Sequence, residues 1–228
     1  MRVVICFPWR GGNPDRERAY GLVRSYYGLF DIPMFEGDST LEGFSPARAR
    51  NAAAEAAGDW DIAVFLDADC VIPFVNVWRG VEHARKTGCV TLPWDEFCSM
   101  TEEGHRLGYD TYIPVDDPEV EEVWRANSIG CERPLYSPGG SVIVPREVWD
   151  RVGGYDERFI GWGFEDAAFL VAAGEFDRLS GPQFHFWHPS SAFSVPTPDF
   201  WYREYRDVPV TQRLIDEGRE MNRFGSWG

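Results

Sequence analysis

Five apolar residues in a row, Ile62-Ala63-Val64-Phe65-Leu66, run without a polar break into Asp67-Ala68-Asp69. A short run with no alternation reads as a strand buried on both faces. Such a strand needs cover on each side, and the flanking sequence offers it. Residues 3–7 form a second apolar run, ended by Pro8. Asn13-Pro14 then supplies an N-cap with proline at the first helical position, and Ala19, Leu22, Val23, Tyr26 and Phe30 follow at helical spacing. A strand is expected over 32–35. Ser45-Pro46 opens an Ala-rich helix, Pro46–Ala57, which Gly58 stops. Beyond the acids come a helix over 73–86, closed by Gly88, and a strand over 89–92. This βαβαβαβ rhythm predicts an α/β fold: a mostly parallel central sheet with helices on both faces.

Downstream the periodicity weakens. Asp117-Pro118 starts a short acidic helix up to Asn127, and the rest of 94–136 reads as loop. A strand over 141–144, a helix Arg146–Val152, a helix over 166–173 and a last strand over 184–188 complete a single domain, residues 1–190. Residues 191–228 read as a C-terminal flap near the active site, with a helix around 212–222. The formal charge of −15 excludes a nonspecific nucleic-acid binder, which needs a basic footprint. It leaves room for a small anionic ligand held by a metal or an arginine. No apolar stretch reaches the roughly 20 residues of a membrane span. Five scattered cysteines without a CxxC read as reduced core thiols, and so as a cytoplasmic chain.

Ligands of such sheets bind at the carboxyl ends of the strands. Three polar clusters fall there: Pro8-Trp9-Arg10, Asp67/Asp69 and Trp94-Asp95-Glu96. Two carboxylates at i and i+2 leave an extended strand on the same side, so Asp67 and Asp69 can share a hard cation and present it to a diphosphate. Buried strands also end in Asp for turn or capping reasons. His185 and His188 reach one metal only if the chain bends between them, which Pro189 permits; a mixed oxygen and imidazole set favours Mn²⁺ over Mg²⁺. In Gly161-Trp162-Gly163-Phe164-Glu165-Asp166, two carboxylates sit at a helix N-terminus, whose dipole favours the ionised form a base requires. Trp162 offers a flat face to a sugar, and Gly139 and Gly140 permit close backbone approach to a ligand. Arg10 and Arg50 are candidates for phosphate or base contacts. Gly11-Gly12 lacks a following GK[ST], and neither GxGxxG nor GxSxG occurs, so phosphate binding would rest on a metal.

The combination of FLDAD, YSPGGSVIVPREVWDRVGGYDERFIGWGFEDAAF and HFWH resembles the GT-A nucleotide-sugar glycosyltransferases. The central stretch is most similar to the module shared by β-1,4-galactosyltransferases and polypeptide N-acetylgalactosaminyltransferases. The first part, SPARARNAAAEAAGDWDIAVFLDAD, resembles family-2-like glycosyltransferases. The resemblance implies a metal-dependent hexosyl transfer from a UDP-sugar to an acceptor hydroxyl, with inversion, in a bacterial or phage enzyme. Asp69 and His188 would ligate Mn²⁺ or Mg²⁺, with His185 where relatives carry a methionine. Asp67 would contact the donor ribose or sugar, Asp166 would be the base, and Glu165 and Trp162 would hold a sugar. Pro8, Arg10 and Arg50 would grip the nucleotide, and Gly139 and Gly140 would line the sugar pocket. The family's GWGGED reads GWGFED here, so Phe164 fills a place usually left small. The alternatives are a retaining transferase on the same site, or a nucleotide- or carbohydrate-binding protein without turnover.

Overall fold

The computed structural model describes residues 1–40, 43–110, 116–133, 139–161, 163–189 and 205. In chain order its elements are β1 (Val3–Pro8), α1 (Pro14–Tyr27), β2 (Met34–Gly37), α2 (Pro46–Ala57), β3 (Ile62–Leu66), β4 (Cys70–Val71), α3 (Phe74–Thr87), β5 (Val90–Leu92), β6 (Glu96–Met100), α4 (Glu102–Asp110), α5 (Pro118–Ala126), β7 (Ser128–Glu132), β8 (Ser141–Pro145), α6 (Arg146–Val152), α7 (Glu165–Ala173), β9 (Phe176–Arg178) and β10 (Pro182–His185). Apart from Tyr205, the expected C-terminal flap and its helix lie outside the described residues, as does Trp162.

Six strands form the central sheet in the order β2-β1-β3-β8-β5-β9. β8 runs antiparallel to both β3 and β5; the β1–β2, β1–β3 and β5–β9 pairs are parallel. The sheet is therefore mostly parallel, as the strand–helix rhythm requires. Ile5 and Phe7 of β1, with Ile62, Val64 and Leu66 of β3, face α1 and α3; Val4, Cys6, Ala63 and Phe65 face α2, α6 and α7. Both faces are dry, which is why these strands show no polar alternation. The alanines of α2 let it lie directly on β2: a Cβ at Gly37 would strike the backbone of Ala49 and Ala53. Ser45 caps α2, accepting the Arg48 N–H at 3.3 Å, and its hydroxyl donates to the Phe159 carbonyl at 2.8 Å. That second bond ties the start of α2 to the α6–α7 connection.

A second sheet, β4-β10-β6-β7, carries most of what reads as loop in the sequence. β6, α4 and β7 fall within 94–136, correcting that expectation for all but α5. β6 and β7 are only partly buried, so neither presents a strong apolar signature. The Trp94-Asp95-Glu96 cluster joins the two sheets. Trp94 is buried and donates to the Ser141 carbonyl at 3.1 Å, Asp95 accepts the Gly181 N–H at 2.8 Å, and Glu96 pairs with Arg125 at 2.7 Å.

Cys98 and Cys131 stand directly opposite each other on β6 and β7 and form a disulfide. The expectation of reduced thiols is corrected for this pair, and the cysteine content no longer argues for a reducing compartment. No described helix is long and apolar enough to cross a membrane. The bridge closes a sequence separation of 33, for which loop-closure entropy gives about 3–4 kcal/mol. Reduction, or a C98S/C131S double substitution, is expected to lower Tm by on the order of 10 °C. A thermal scan with and without dithiothreitol checks this, and an unchanged midpoint would rule out the pairing.

Candidate active site

The carboxyl ends of β1, β2 and β3 and the start of β8 meet along one edge of the central sheet. Asp67 leaves β3 there, and its N–H donates to the Gly140 carbonyl at 2.6 Å. Gly140 has φ +100°, and a Cβ on it would drive into the Gln183 side chain. Gln183 also donates to the Gly139 carbonyl at 3.2 Å. The two glycines thus seat the acidic turn against β10.

β10 brings the histidines to that turn. It pairs antiparallel with β4, His185 facing Cys70, and the Phe186 N–H donates to the Asp69 carbonyl at 2.8 Å. Because β10 ends at His185, the chain bends and His188 returns to the same side, its ring centroid 5.2 Å from that of His185. His185 Nε2 lies 3.8 Å from Asp69 Oδ1, and His188 Nε2 lies 3.3 Å from Asp69 Oδ2. His188 Nδ1 is 3.0 Å from the Pro189 carbonyl and Nε2 faces Asp69, so both ring nitrogens have an acceptor, which suits the protonated ring. Burial alone would raise the Asp69 pKa, but His185, His188 and Arg16 overcome it and hold the carboxyl well below its usual range. Burial lowers His185, while the hydrogen bond to Asp69 raises His188. One ligand atom from each of these three residues lies within 4.8 Å of the others, a donor set that fits a divalent first-row metal.

Arg16 is a residue the sequence reading missed. It stands in the first turn of α1 and its Nη2 donates to Asp69 Oδ2 at 3.2 Å. The signal was present: the Asn13-Pro14 cap fixes where α1 begins, and α1 begins at the edge where β1 ends. Arg10, also at that edge, donates from Nε to Asp38 Oδ1 at 2.8 Å and from Nη2 to Ser39 Oγ at 3.0 Å, with its guanidinium over the Phe44 ring. Pro8 is buried at the end of β1, and the neighbouring Trp9 stacks on Tyr20 at 4.2 Å.

Arg50 has partners other than the phosphate or base expected for it. The second turn of α2 buries it beneath the acids. Its Nη2 bonds Asp67 Oδ1 at 2.6 Å, and its Nη1 reaches Glu165 Oε1 and Asp166 Oδ1, each at 3.0 Å. The Tyr155 ring lies 5.1 Å from its guanidinium carbon. Three carboxylates from two parts of the chain, the turn after β3 and the start of α7, thus share one cation. Burial raises Asp67 and Asp166 above the ordinary carboxylate range, Arg50 opposes the shift in both, and like charges add to it, Asp69 and Glu165 at Asp67 and Glu165 and Asp67 at Asp166. The side chain of Asp67 is 30% exposed and that of Asp166 18%, against 5% for Glu165. Asp67 and Asp166 therefore each keep an open edge.

Residues 125–173, which contain β7, β8, α6 and α7, match the family model described as the N-terminal domain of galactosyltransferase. No curated protein matches the chain by sequence. Among solved structures, a point mutant of Drosophila β-1,4-galactosyltransferase 7, in complex with manganese, UDP-Gal and xylobiose, aligns with TM-score 0.54 at 14% identity, covering 89% of this chain and 79% of that one. Residues 1–349 of S. aureus TarS align with TM-score 0.55 at 11% identity, covering 98% and 73%. With its mostly parallel sheet, its acidic turn after β3 and its galactosyltransferase-like segment, the chain has the fold of the GT-A glycosyltransferases.

Proposed function

We propose that the chain is a metal-dependent glycosyltransferase that moves a hexose from a UDP-sugar to an acceptor hydroxyl with inversion. One observation carries this reading. The Asp69-His185-His188 donor set stands two residues along the chain from Asp67, and Asp67 shares Arg50 with the acid pair Glu165 and Asp166. A cation-binding group and a candidate base are thus linked through Asp67 and Arg50, which simple ligand binding does not require.

Asp69, His185 and His188 would hold Mn²⁺ or Mg²⁺, which when bound neutralises charge on a leaving diphosphate. Arg16 adds a fixed positive charge on the same side. Pro8 and Arg10 border the nucleotide site at the ends of β1 and β2. Arg50 fixes Asp67 for the donor and Asp166 for the acceptor, so a donor carbon and an acceptor hydroxyl are set against each other before reaction. Asp166 takes the acceptor proton as the hydroxyl attacks the anomeric carbon. Gly139 and Gly140 would line the sugar pocket beside Asp67, which Gly140 holds through its carbonyl, and Trp162 would add a stacking surface for a sugar.

Calorimetric titration of UDP, with manganese and with EDTA, tests the reading. UDP binding is expected only with metal, and Asp69→Ala or His188→Ala should weaken it at least tenfold, the loss of one charge-assisted contact being worth about 1.5–3 kcal/mol. Slow UDP release from a panel of UDP-sugars then names the donor, and the anomeric configuration of the product separates inversion from retention. Absence of uridine-nucleotide binding under both conditions would remove the UDP-sugar reading.

A further inference from the structure

Asp69, His185 and His188 stay together only while β10 keeps its place, and β10 is held unevenly. On one side it pairs with β4, a strand of two residues. On the other it lies along β6 for its whole length, with Phe184 opposite Cys98 and His185 opposite Ser99. β6 thus carries the strand that presents His185. β7 backs β6 in turn, with Cys98 opposite Cys131 and the disulfide joining them.

β10 is also braced by a ring. Phe184 and Phe186, on either side of His185 in the chain, are fully buried. Trp124 of α5 meets both edge-on, with ring centroids at 5.2 and 5.5 Å, and Cys98 belongs to the same buried cluster. Groups that fix the neighbours of a metal ligand fix the ligand. Trp124 has no polar anchor of its own, since among the described residues its Nε1 lacks a hydrogen-bond partner. Its place is set by α5, which runs through Asn127 directly into β7. The β6–β7 ladder is irregular between Ser99 and Met100. The Asn127 carbonyl accepts the Thr101 N–H at 2.9 Å, and Arg125 pairs with Glu96 at 2.7 Å, both groups being partly exposed. Ion pairs of that kind contribute little. The bridge is the covalent tie between this unit and β6.

That tie is the one that redox chemistry can remove. Cys131 is half-buried on β7, and Cys98 lies in the core. A dithiol attacks the Cys131 sulfur, the S–S bond breaks, and Cys98 leaves as a thiolate that takes a proton. The second thiol then displaces Cys131. Two electrons and two protons pass to the cysteines, and the dithiol becomes a disulfide. Resting on the metal-dependent function proposed above, we propose that the Cys98–Cys131 bridge is a redox control on the metal donors. Oxidised, it locks Trp124 against β10 and sets His185 beside Asp69. Reduced, it lets the brace relax, and metal affinity falls.

The test titrates manganese alone into the full chain by calorimetry, well below the thermal transition. The forms compared are the air-oxidised chain, the chain reduced with dithiothreitol and desalted without air, and the C98S/C131S variant. Thiol titration confirms the bridge in the first. Reduction and the double substitution are each expected to weaken manganese binding about tenfold or more, in the range of lost outer contacts to a metal ligand. Trp124→Leu should do the same with the bridge intact. Val148→Ala, a core truncation on the other face of the central sheet, controls for lost stability. It should lower Tm yet leave manganese affinity within about twofold. Equal affinity in the oxidised, reduced and C98S/C131S forms would overturn the inference and leave the metal-dependent reading standing. So would Trp124→Leu binding as tightly as the wild type, or Val148→Ala losing as much affinity as C98S/C131S. No manganese binding in any form would remove the metal-dependent reading and the inference with it.

Discussion

Arg50→Met is expected to cost the fold about 3–5 kcal/mol near neutral pH, the usual consequence of removing one partner from a buried ion network. Arg50 is nearly inaccessible, and Asp67, Glu165 and Asp166 all meet its guanidinium. Without it, three neighbouring carboxylates repel one another in a poorly solvated site. The pH dependence has a definite sign. Asp67 and Asp166 already sit above the ordinary carboxylate range, burial being the largest cause, and losing Arg50 raises them further. A carboxyl whose folded pKa exceeds its unfolded one adds no penalty while it is protonated in both states. It loses stability as pH rises from the unfolded value through the folded one. The gap between wild type and Arg50→Met should therefore be widest near neutral pH and shrink as pH falls to about 5. Urea denaturation at both pH values measures it. Arg50→Lys keeps the charge but cannot fork to three acids, so it should recover only part of the loss. A methionine variant as stable as the wild type at neutral pH would mean the acids are not held as a charged network.

The role of Arg50 shows where sequence reading stops. Pro46–Ala57 is legible as a helix because Ser45-Pro46 and Gly58 mark its ends and alanine fills it. The face that Arg50 occupies is not legible, because two of the acids it touches lie far along the chain, on α7. The double-sided burial of β1 and β3 is plain in their unbroken apolar runs, and the sheet follows from it. β6 and β7 escape because short, half-wet strands carry little pattern. The Cys98–Cys131 pair escapes with them, since its partners become neighbours only through that strand register. The metal donors are half legible. Residue types and the proline bend suggest His185 and His188, but their convergence on Asp69 depends on β10 pairing with the two-residue strand β4. Arg16 needed only the placement of the α1 N-terminus, information the sequence does hold.

Asp166→Asn should produce the largest catalytic loss, about 10²–10⁴-fold in kcat, with UDP affinity and fold retained. The choice between the two acids of α7 rests on access. Glu165 is enclosed, and among the described residues its Oε2 has no hydrogen-bond partner; Asp166 keeps an open edge. Only the second can take a proton from a substrate hydroxyl. Its pKa is raised, first by burial and then by the charges of Glu165 and Asp67, against the pull of Arg50. A base must be ionised to act, so kcat/KM should rise with pH through that raised value. The acid limb should lie above the range of an ordinary carboxylate. Glu165→Gln gives the matching test of a positioning role. It removes one like charge and lets the Asp166 pKa fall, so the acid limb should move to lower pH while the maximal rate drops far less than in Asp166→Asn. Pre-steady-state and steady-state rates across pH, with the donor named by UDP release, measure both. If Asp166→Asn keeps its kcat within about tenfold of wild type, general-base catalysis at this position is excluded. Asp166 would then serve to position the acceptor, and a product with retained configuration would fix the retaining mechanism in its place.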